Sequence, residues 1–290
     1  MANLKELRTK IGVVQSIRKV TAAMKLVAGV KLRKAEQKAS ASREYAAELG
    51  HILSKIRREL LNVNCELFSG REEVNAETLI VFASDKGLCG NFNYLINKEA
   101  RGQISKIQAE GKRVRVICVG GKPFNLLKKT LRDEDSIELA NDFYKGDNLF
   151  ENSKKLAEKI VEEFTTGVTD KVSVVYTRCF SVMRREIEIK SVIPLICEPN
   201  SDKTETIFEP SAEYVLKTVV PYNIAIQIYQ SALESVAGEQ GSRMTSMDNA
   251  TRNADELLSN LTITYNRTRQ HNITQELVEV VSGAAAIAEG

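Results

Sequence analysis

The sequence is poor in the residues on which many small catalytic and disulfide-bonded domains depend. It has no tryptophan, two histidines and five cysteines among its 290 residues. His51 and His271 are far apart in sequence, so we expect neither a histidine-based metal centre nor catalysis through a histidine-containing set. The cysteines are scattered without CxxC spacing, which predicts reduced thiols and no disulfide framework or zinc site.

Long apolar runs are missing as well. No stretch approaches the roughly 18 consecutive apolar residues of a membrane-spanning helix, so we expect none. Residues 1–8 contain no apolar core of a signal peptide, so we expect no secretion. With 43% hydrophobic and 27% charged residues, the chain nevertheless has the composition of a folded protein.

Charge of opposite sign is concentrated at the two ends. Residues 1–60 hold 14 Lys and Arg against 5 Asp and Glu, whereas residues 211–290 hold 5 against 9. This asymmetry predicts either complementarity between the two ends or an acidic partner for the first. Because Tyr45 is the only aromatic residue among the first 60, the pattern favours a partner-facing helix surface over a nucleic-acid site.

The first 60 residues have the composition and spacing of one long helix. They contain no proline and are rich in Ala, Glu, Lys, Leu and Arg. Small or apolar residues recur there in steps of three and four, and the line includes Ile17 and Met24. Irregular steps near 14–17 and 24–32 predict a coiled-coil seam with a stutter-like interruption.

The last 80 residues repeat this pattern. A line of mostly small or apolar residues runs from Ile226 through Met247 and Ala254 to Thr268. Pro221 is expected to kink or delay this helix, because it lacks an N–H and clashes with the preceding turn. Two long helices at opposite ends of a chain most simply pair with each other, so we predict an antiparallel, intramolecular coiled coil.

Between the ends, strand and helix patterns alternate. Strands are predicted at Thr78–Ala83, Val114–Val119, Lys171–Phe180 and Glu186–Ile193, and helices at Asn91–Gln108, Pro123–Lys129 and Leu149–Thr165. The alternation predicts a Rossmann-like, mostly parallel sheet. The fold class is therefore α/β, with a coiled-coil helix at 1–60, a central α/β domain at 61–210 and a second coiled-coil helix at 211–290. Residues 61–77 and 198–210 are predicted as connecting loops.

A glycine-bearing loop follows the first predicted strand. Its sequence, SDKGLCGNF at residues 84–92, stands where a Rossmann fold binds phosphate. The spacing matches neither GxGxxG nor a P-loop, and Gly120-Gly121-Lys122 fails in the same way because Pro123 follows it. The loop could bind a nucleotide, or it could be a strand-to-helix turn that needs glycines. The spacing of the glycines favours the turn. Cys89 is expected to be a buried structural thiol.

Two parts of the C-terminal helix are unusual in composition. Residues 240–254 are small and polar apart from two methionines, which leaves few bulky side chains. Residues 277–288 are apolar on nearly every face, and such a helix must be enclosed. We expect a second protein chain to supply the enclosure. An α/β nucleotide-binding enzyme with helical arms and a nucleic-acid or scaffold coiled coil are the alternative functions.

Four motifs in order resemble the γ subunits of F-type ATP synthases. They are VTAAMKLVAGVKLRK at 20–34, SDKGLCGNFN at 84–93, AGEQGSRMTSMDNATRN at 237–253 and YNRTRQHNITQELVEVVSGAAA at 265–286. The resemblance covers essentially the whole chain. It implies that the terminal helices form a rotating shaft inside a ring of alternating α and β subunits, and that the α/β domain contacts the ε subunit and the membrane ring of c subunits.

The resemblance also implies what this chain does not do. In that family the β subunits carry out ATP synthesis and hydrolysis, so the chain would be a non-catalytic subunit with no cofactor and no nucleic-acid partner. It would lie peripherally on the cytoplasmic face of a bacterial inner membrane. The site residues implied are contacts between rotor and stator: Met24, Lys25, Arg243, Arg269, Gln270, Thr274 and Glu276.

Overall fold

The computed structural model describes residues 4–59, 66–146, 148–181, 184–195, 209 and 211–288. The helices are α1 Leu4–Glu59, α2 Glu66–Ser69, α3 Phe92–Ala109, α4 Gly121–Leu127, α5 Leu149–Thr165 and α6 Ala212–Ala288. The strands are β1 Ala76–Phe82, β2 Arg113–Val119, β3 Ser136–Ala140, β4 Lys171–Cys179 and β5 Arg185–Ile193. Across these ranges, the helices lack the combination of length and hydropathy that crossing a membrane requires.

The predicted strands correspond to β1, β2, β4 and β5, and the predicted central helices to α3, α4 and α5. Strand β3 was missed because it is short and only partly buried, so its apolar signal is weak. The loop predicted at 61–77 is wrong in part, since it contains α2 and the start of β1; the buried side chain of Phe68 anchors α2. The loop predicted at 198–210 lies outside the described residues, Glu209 excepted.

The five strands form one sheet in the order β3-β2-β1-β4-β5. Strand β1 pairs in parallel with β2 and with β4, β2 pairs in parallel with β3, and β5 closes one edge antiparallel to β4. The chain lays down β2 and β3 on one side of β1 and β4 on the other, so a topological switch point lies between β1 and β4. The predicted Rossmann-like, mostly parallel sheet is confirmed.

Alternate residues of β1 belong to hydrophobic cores on opposite faces of the sheet. Leu79 and Val81 pack in the core that contains α3 and the end of α4. Ile80 and Phe82 belong to the core that contains α5 and parts of α1 and α6. A strand covered on both faces needs apolar residues throughout, which explains its continuous apolar run.

The chain divides into two compact units. One, which we name the coil unit, comprises Met1–Ala28 and Met244–Gly290. The other, which we name the sheet unit, comprises Gly29–Arg243 and contains the whole sheet. Helices α1 and α6 therefore each contribute residues to both units.

In the coil unit, α1 and α6 run antiparallel. Arg18 Nε lies 3.1 Å from Asp255 Oδ1, and Lys25 Nζ lies 2.6 Å from Asp248 Oδ1. Residue numbers rise along α1 as they fall along α6, so the predicted antiparallel, intramolecular pairing is confirmed for this unit. The two ion pairs join basic residues of α1 to acidic residues of α6, which agrees with the first of the two alternatives that the charge asymmetry left open.

The α1 residues that face α6 in the coil unit differ from the predicted line. Ile17 and Met24 were predicted to face α6, but their exposures are 50% and 38%. Arg18 and Lys25 occupy those turns instead, because long basic side chains extend to carboxylates on α6. The seam runs through residues 14, 18, 21, 25 and 28 in regular steps of four and three, so the predicted stutter is wrong there. On α6, the predicted positions Met247 and Ala254 are buried as expected.

Helix α6 passes through Pro221 without interruption. The predicted delay is wrong, because the helix begins at Ala212 and contains Pro221 in its interior. An interior proline costs about 3 kcal/mol or more. Val220 and Ile224 on either side are buried in the core of the sheet unit, and their burial offsets that cost.

Candidate functional site

The switch point of the sheet is filled by α6. In doubly wound folds, ligands bind in the crevice beyond the carboxyl ends of the strands at this point. Here Ser235 Oγ donates a hydrogen bond to the oxygen of Phe82, the last residue of β1, at 3.3 Å. Gly238 lies so close to Thr177 of β4 that a Cβ atom would be 2.8 Å from the Thr177 Cγ2. The place a nucleotide would need is occupied by the protein itself.

The loop after β1 is held by its own polar groups. We name residues 84–91 the clasp loop. Ser84 Oγ donates to the oxygen of Lys86 at 2.7 Å and accepts a hydrogen bond from Asn93 Nδ2 at 2.7 Å. Asp85 Oδ1 accepts from the backbone N–H of Gly121 at 3.0 Å, which ties the loop to the start of α4. These bonds favour the glycine-turn interpretation over the nucleotide cradle.

Gly120 explains the second glycine motif. Its φ is +107°, in a region that L side chains rarely adopt, and a Cβ atom there would lie 2.4 Å from the oxygen of Ala83. The glycine therefore lets the turn after β2 pass directly against the end of β1. As predicted, Gly120-Gly121-Lys122 forms the entry to α4, Gly121–Leu127, without P-loop spacing.

The clasp loop is bonded to α6. Ser242 Oγ donates to the oxygen of Cys89 at 2.7 Å, and Arg243 Nη2 donates to the oxygen of Gly87 at 3.2 Å. Arg243 also pairs with Glu239 one turn earlier, at 2.6 Å. Burial raises the pKa of the Glu239 carboxyl above its ordinary value, and Arg243 opposes this shift. The arrangement can hold a helix against a loop, and its charged groups face each other.

Two of the predicted contact residues, Met24 and Lys25, lie on α1 in the coil unit. Lys25 is half-buried and bonded to Asp248. The hydrogen bond from Lys25, with a contribution from nearby Arg252, holds the pKa of Asp248 below its ordinary value. Met24 is exposed to 38%.

Met24 belongs to a second line of apolar residues on α1. This line has the same spacing as the seam, so the sequence alone does not tell the two apart. Val13, Ile17, Val20 and Val27 are exposed at the same alternating steps of three and four. The sequence did contain this second line, because the heptad spacing that places Arg18 and Lys25 against α6 leaves these apolar residues on the neighbouring flank of α1. A regular exposed apolar line on a helix is a surface suited to a protein partner.

Four further predicted residues lie together near the end of α6. Arg269, Gln270, Thr274 and Glu276 are all exposed in the coil unit, and Thr274 Oγ1 donates to the oxygen of Gln270 at 2.9 Å. Beyond them, the apolar residues Leu277, Val278, Val280, Val281 and Ile287 are exposed as well. This part of α6 presents both polar and apolar side chains to its surroundings.

Arg243 stands apart from the other predicted contact residues. It is the last residue of the sheet unit, and its side chain is only 13% exposed. The sequence motif places it with the contact group, whereas its hydrogen bonds are to the clasp loop and Glu239. Neither Glu239 nor Ser242 was singled out from the sequence, since small or charged helix residues give no signal of a buried partner.

The described cysteine thiols are buried inside the protein. Cys89, Cys118 and Cys179 are free and buried, so the expectation for Cys89 is confirmed. Burial raises the pKa of the Cys118 thiol to about 12. In the described part of the chain, no three His, Cys, Asp or Glu residues are grouped so that they could hold a metal ion.

Comparison with known proteins gives consistent matches. The family model described as ATP synthase matches residues 3–287. The ATP synthase gamma chain of Gluconacetobacter diazotrophicus is 40% identical over 298 residues, covering 99% of this chain and all of that one. The ATP synthase gamma chain of Acidiphilium cryptum is 39% identical over 297 residues with the same coverage.

Solved structures share the fold. A chain in the OSCP/F1/c-ring assembly of the Euglena gracilis mitochondrial ATP synthase matches with a TM-score of 0.64 and 16% identity, covering 98% of this chain and 94% of that chain. A chain in the rotor of the same enzyme matches with a TM-score of 0.61 and 16% identity, over 93% and 98% of the two chains.

Proposed function

The chain belongs to the ATP synthase γ-chain family, and we propose that it is the central-stalk rotor subunit of an F-type ATP synthase. Its rotation couples ion translocation through the membrane ring to ATP synthesis and hydrolysis at the β subunits. Its partners are the α and β subunits, the ε subunit and the c-subunit ring. It lies peripherally, at the cytoplasmic face of the bacterial inner membrane.

The observation that carries this proposal is the exposed apolar line on α1. A two-helix coiled coil that needs no further partner buries its apolar residues in the seam between its helices. Here Val13, Val20 and Val27 stay exposed beside a seam that contains Arg18 and Lys25. The surrounding α and β subunits would cover that line and also the apolar end of α6.

The chain takes no part in the chemistry of ATP. Supporting this, the ligand position of the sheet is filled by Ser235 and Gly238 of α6, and the clasp loop uses its polar groups within the protein. The segments 1–60 and 211–290 would act as the shaft and 61–210 as the domain that meets the ε subunit and the ring. No cofactor is required for this role.

The shaft acts through its asymmetry. A single asymmetric coil in a three-fold ring presents different faces to three otherwise equivalent sites, and rotation shifts the conformation of each site through differential contacts. Shifting a site from 1:99 to 99:1 requires about 5.5 kcal/mol of differential interaction. Charged and polar groups on the shaft contribute part of this as they pass each β subunit.

The proposed contacts with the stator are those implied by the family motifs. Met24 and Lys25 would meet the moving arm of a β subunit, and the group at 269–276 would meet β-subunit loops. Exposure supports the roles of Met24, Arg269, Gln270, Thr274 and Glu276. Arg243 is proposed with them on the motif alone, since its guanidinium is bonded mainly within the sheet unit.

Co-purification tests this proposal. The chain is tagged at its C-terminus and isolated from membranes of its own cells under mild conditions. We expect it to be recovered with α and β subunits in a complex that hydrolyses ATP. Recovery without them, or nucleotide binding by the purified chain alone in equilibrium dialysis, would instead support the enzyme alternative. Salt-dependent DNA binding would support the nucleic-acid alternative.

A further inference from the structure

We propose that the outward side of α3 and α4 is a docking surface for an anionic phospholipid bilayer. We name this surface the basic face. It consists of two rows of exposed residues, Tyr94, Lys98 and Arg101 in the first and Lys122, Leu126 and Lys129 in the second. The inference goes beyond the proposed rotor function, because it gives the sheet unit a contact of its own with the membrane.

Helical spacing brings each row to one side of its helix. Both rows advance by four residues and then by three, which is the spacing of residues on one side of a helix. The second row begins on α4 and ends in the short helical turn Lys128–Thr130 that follows it. Ile96 of α3 and Leu127 of α4 project to the other side and are buried in one core.

The two rows adjoin in the sheet unit. Arg101 Nη2 donates a hydrogen bond to the oxygen of Leu126 at 3.2 Å, which joins α3 to α4. Both helices cover the same face of the sheet, whereas the segments of α1 and α6 in this unit pack in the core on the opposite face. The basic face therefore lies away from the helices that the article assigns to the shaft, where a further surface can reach it.

The basic face carries positive charge without local compensation. Among the residues that the structure describes, no carboxylate forms an ion pair with Lys98, Arg101, Lys122 or Lys129. Glu99 is the single acidic residue of α3, and it projects about 100° away from Lys98 around the helix. The face is therefore suited to a negatively charged partner.

Helix α5, on the opposite face of the sheet, shows that this charge is not general. Its exposed charged residues are of both signs: Glu151, Lys154, Lys155, Glu158 and Glu162. A surface of mixed sign attracts an anionic layer weakly. The uncompensated positive charge is thus a property of the α3 and α4 side of the sheet.

The type of basic residue favours a lipid surface over a protein partner. Three of the four basic residues in the two rows are lysines. Protein–protein interfaces are enriched in arginine and depleted in lysine. An anionic bilayer attracts either residue through its charge, and each one near the surface raises the affinity about fivefold.

The apolar residues of the two rows fit the same partner. Tyr94 is 68% exposed and Leu126 is 46% exposed. Tyrosine is enriched at the headgroup level of membranes, because its ring has an apolar body and a polar end. Basic side chains next to exposed apolar ones are typical of surfaces that lie on anionic membranes. A fluid headgroup layer offers no fixed partners, so such a contact can slide as a rotor turns.

The test measures how the soluble complex of this chain with α, β and ε subunits binds to vesicles. In that complex the proposed partners cover the apolar line of α1 and the apolar end of α6. One set of vesicles contains equal parts of phosphatidylglycerol and phosphatidylcholine, and the other contains phosphatidylcholine alone. Binding is measured by co-flotation at increasing salt concentration.

The variant Lys98→Gln/Lys122→Gln removes one lysine from each row. The matched control is Lys154→Gln/Lys155→Gln, because these two lysines are exposed on α5 and the change in net charge is the same. We expect the wild-type complex to bind only the anionic vesicles, and more weakly as salt rises. The basic-face variant should bind about 30-fold more weakly, at about fivefold for each lysine. The control should bind as the wild type does.

Three results would overturn the basic face as a lipid surface. They are no binding of the wild type, equal binding to both sets of vesicles, and equal losses in the two double variants. Binding of polyglutamate or of a DNA duplex to this face without binding to vesicles would also overturn it, in favour of a protein or a nucleic-acid partner.

A conservative variant and the isolated chain complete the test. Lys98→Arg/Lys122→Arg keeps both charges and should bind like the wild type, whereas a loss of binding would contradict attraction by charge. If the chain does not assemble with α and β subunits, the proposed rotor function fails. The same comparison of variants in the isolated full chain then still decides whether the basic face binds lipid.

Discussion

Ser242 of α6 donates its hydroxyl hydrogen to the backbone oxygen of Cys89 at 2.7 Å, and both residues are buried. The bond joins residues 153 positions apart in the chain. It explains why a small polar residue stands in a helix whose neighbours pack against a sheet. A larger apolar residue would fill the space but leave the carbonyl of Cys89 without this donor.

Replacing Ser242 with alanine should therefore destabilise the chain. Loss of a buried hydrogen bond costs about 1–2 kcal/mol in the free energy of unfolding. Ser259→Ala, an exposed substitution of the same kind on α6, should change it by less than about 0.5 kcal/mol. Urea unfolding of the full chain, followed by circular dichroism, measures both values. Equal effects at the two positions would show that the bond to Cys89 contributes nothing.

Gly238→Ala and Gly50→Ala should shift stability in opposite directions. At 238 a Cβ atom would lie 2.8 Å from Thr177 Cγ2, whereas at 50 nothing lies within 4 Å. Both glycines are in helices, where alanine is favoured by about 1 kcal/mol. We expect Gly50→Ala to raise the melting temperature, and Gly238→Ala to lower it because overpacking costs about 1–3 kcal/mol.

The steric cause at Gly238 can be checked separately. Thr177→Ser removes the methyl group nearest to the added carbon, so the double variant Gly238→Ala/Thr177→Ser should recover part of the lost stability. Additive losses in the double variant would mean that the contact with Thr177 is not the cause.

The free energy of unfolding should fall in acid because Asp170 becomes protonated. Burial opposes the ionisation of Asp170, but hydrogen bonds from Arg71 and from the backbone N–H groups of Asn75 and Ala76 outweigh it and hold its pKa below the ordinary value. A lowered folded-state pKa gives stability that is present above the unfolded pKa of about 4 and lost as pH falls through the folded value.

Asp170→Asn tests this dependence. We expect it to cost about 1–3 kcal/mol at neutral pH, since it removes the charged acceptor of a hydrogen bond from Arg71, which keeps its ion pair with Glu66. The difference from the wild type should shrink as the pH falls below about 4, because the wild type then loses the same charge. Exposed Asp133→Asn is the control. A difference independent of pH would argue against a charge-based role for Asp170.

Ile17→Asp should separate folding from assembly. Ile17 is half exposed on the apolar line of α1, so the isolated variant should keep its stability within about 0.5 kcal/mol. A charge placed against an apolar partner surface should reduce recovery with α and β subunits several-fold. Gln15→Asp, on the other flank of the seam, is the matched control. Normal recovery of the Ile17 variant would mean that no partner covers this line.

The sheet was predictable because its central strands are buried on both faces. A continuous apolar run such as residues 78–83 is typical of a strand in that position, and four of the five strands were predicted from their apolar patterns. Strand β3 was missed because it has only five residues and its apolar Ile137 and Leu139 are only half-buried. Strand β5 lies at the other edge of the sheet but has nine residues, so its alternation of polar and apolar residues was long enough to predict a strand.

The seam shows a different limit. Apolar residues were assumed to face the partner helix, so Ile17 and Met24 were assigned to it and Arg18 and Lys25 were not. The structure reverses this because ion pairs to Asp255 and Asp248 stabilise the basic residues at the seam. A surface apolar line intended for another subunit cannot be told from a seam by spacing alone.

The contact residues themselves came from family motifs. In the structure Met24 and the predicted residues at 269–276 are exposed, whereas Lys25 and Arg243 are bonded within the chain. The bond between Ser242 and the clasp loop is seen only in the structure, since no sequence spacing links Ser242 to Cys89. The sequence showed residues 240–254 only as a stretch with few bulky side chains. In the structure Gly241, Ser242 and Met247 are buried, so their small or flexible side chains serve internal packing.

Direct observation of rotation tests the central claim. The complex is fixed to a surface through its β subunits, and a bead is attached to a cysteine introduced at exposed Lys129 of the sheet unit. We predict that ATP drives the bead in one direction only, and that it stops when ATP is removed. A complex that contains this chain and hydrolyses ATP while the bead stays still would contradict the account.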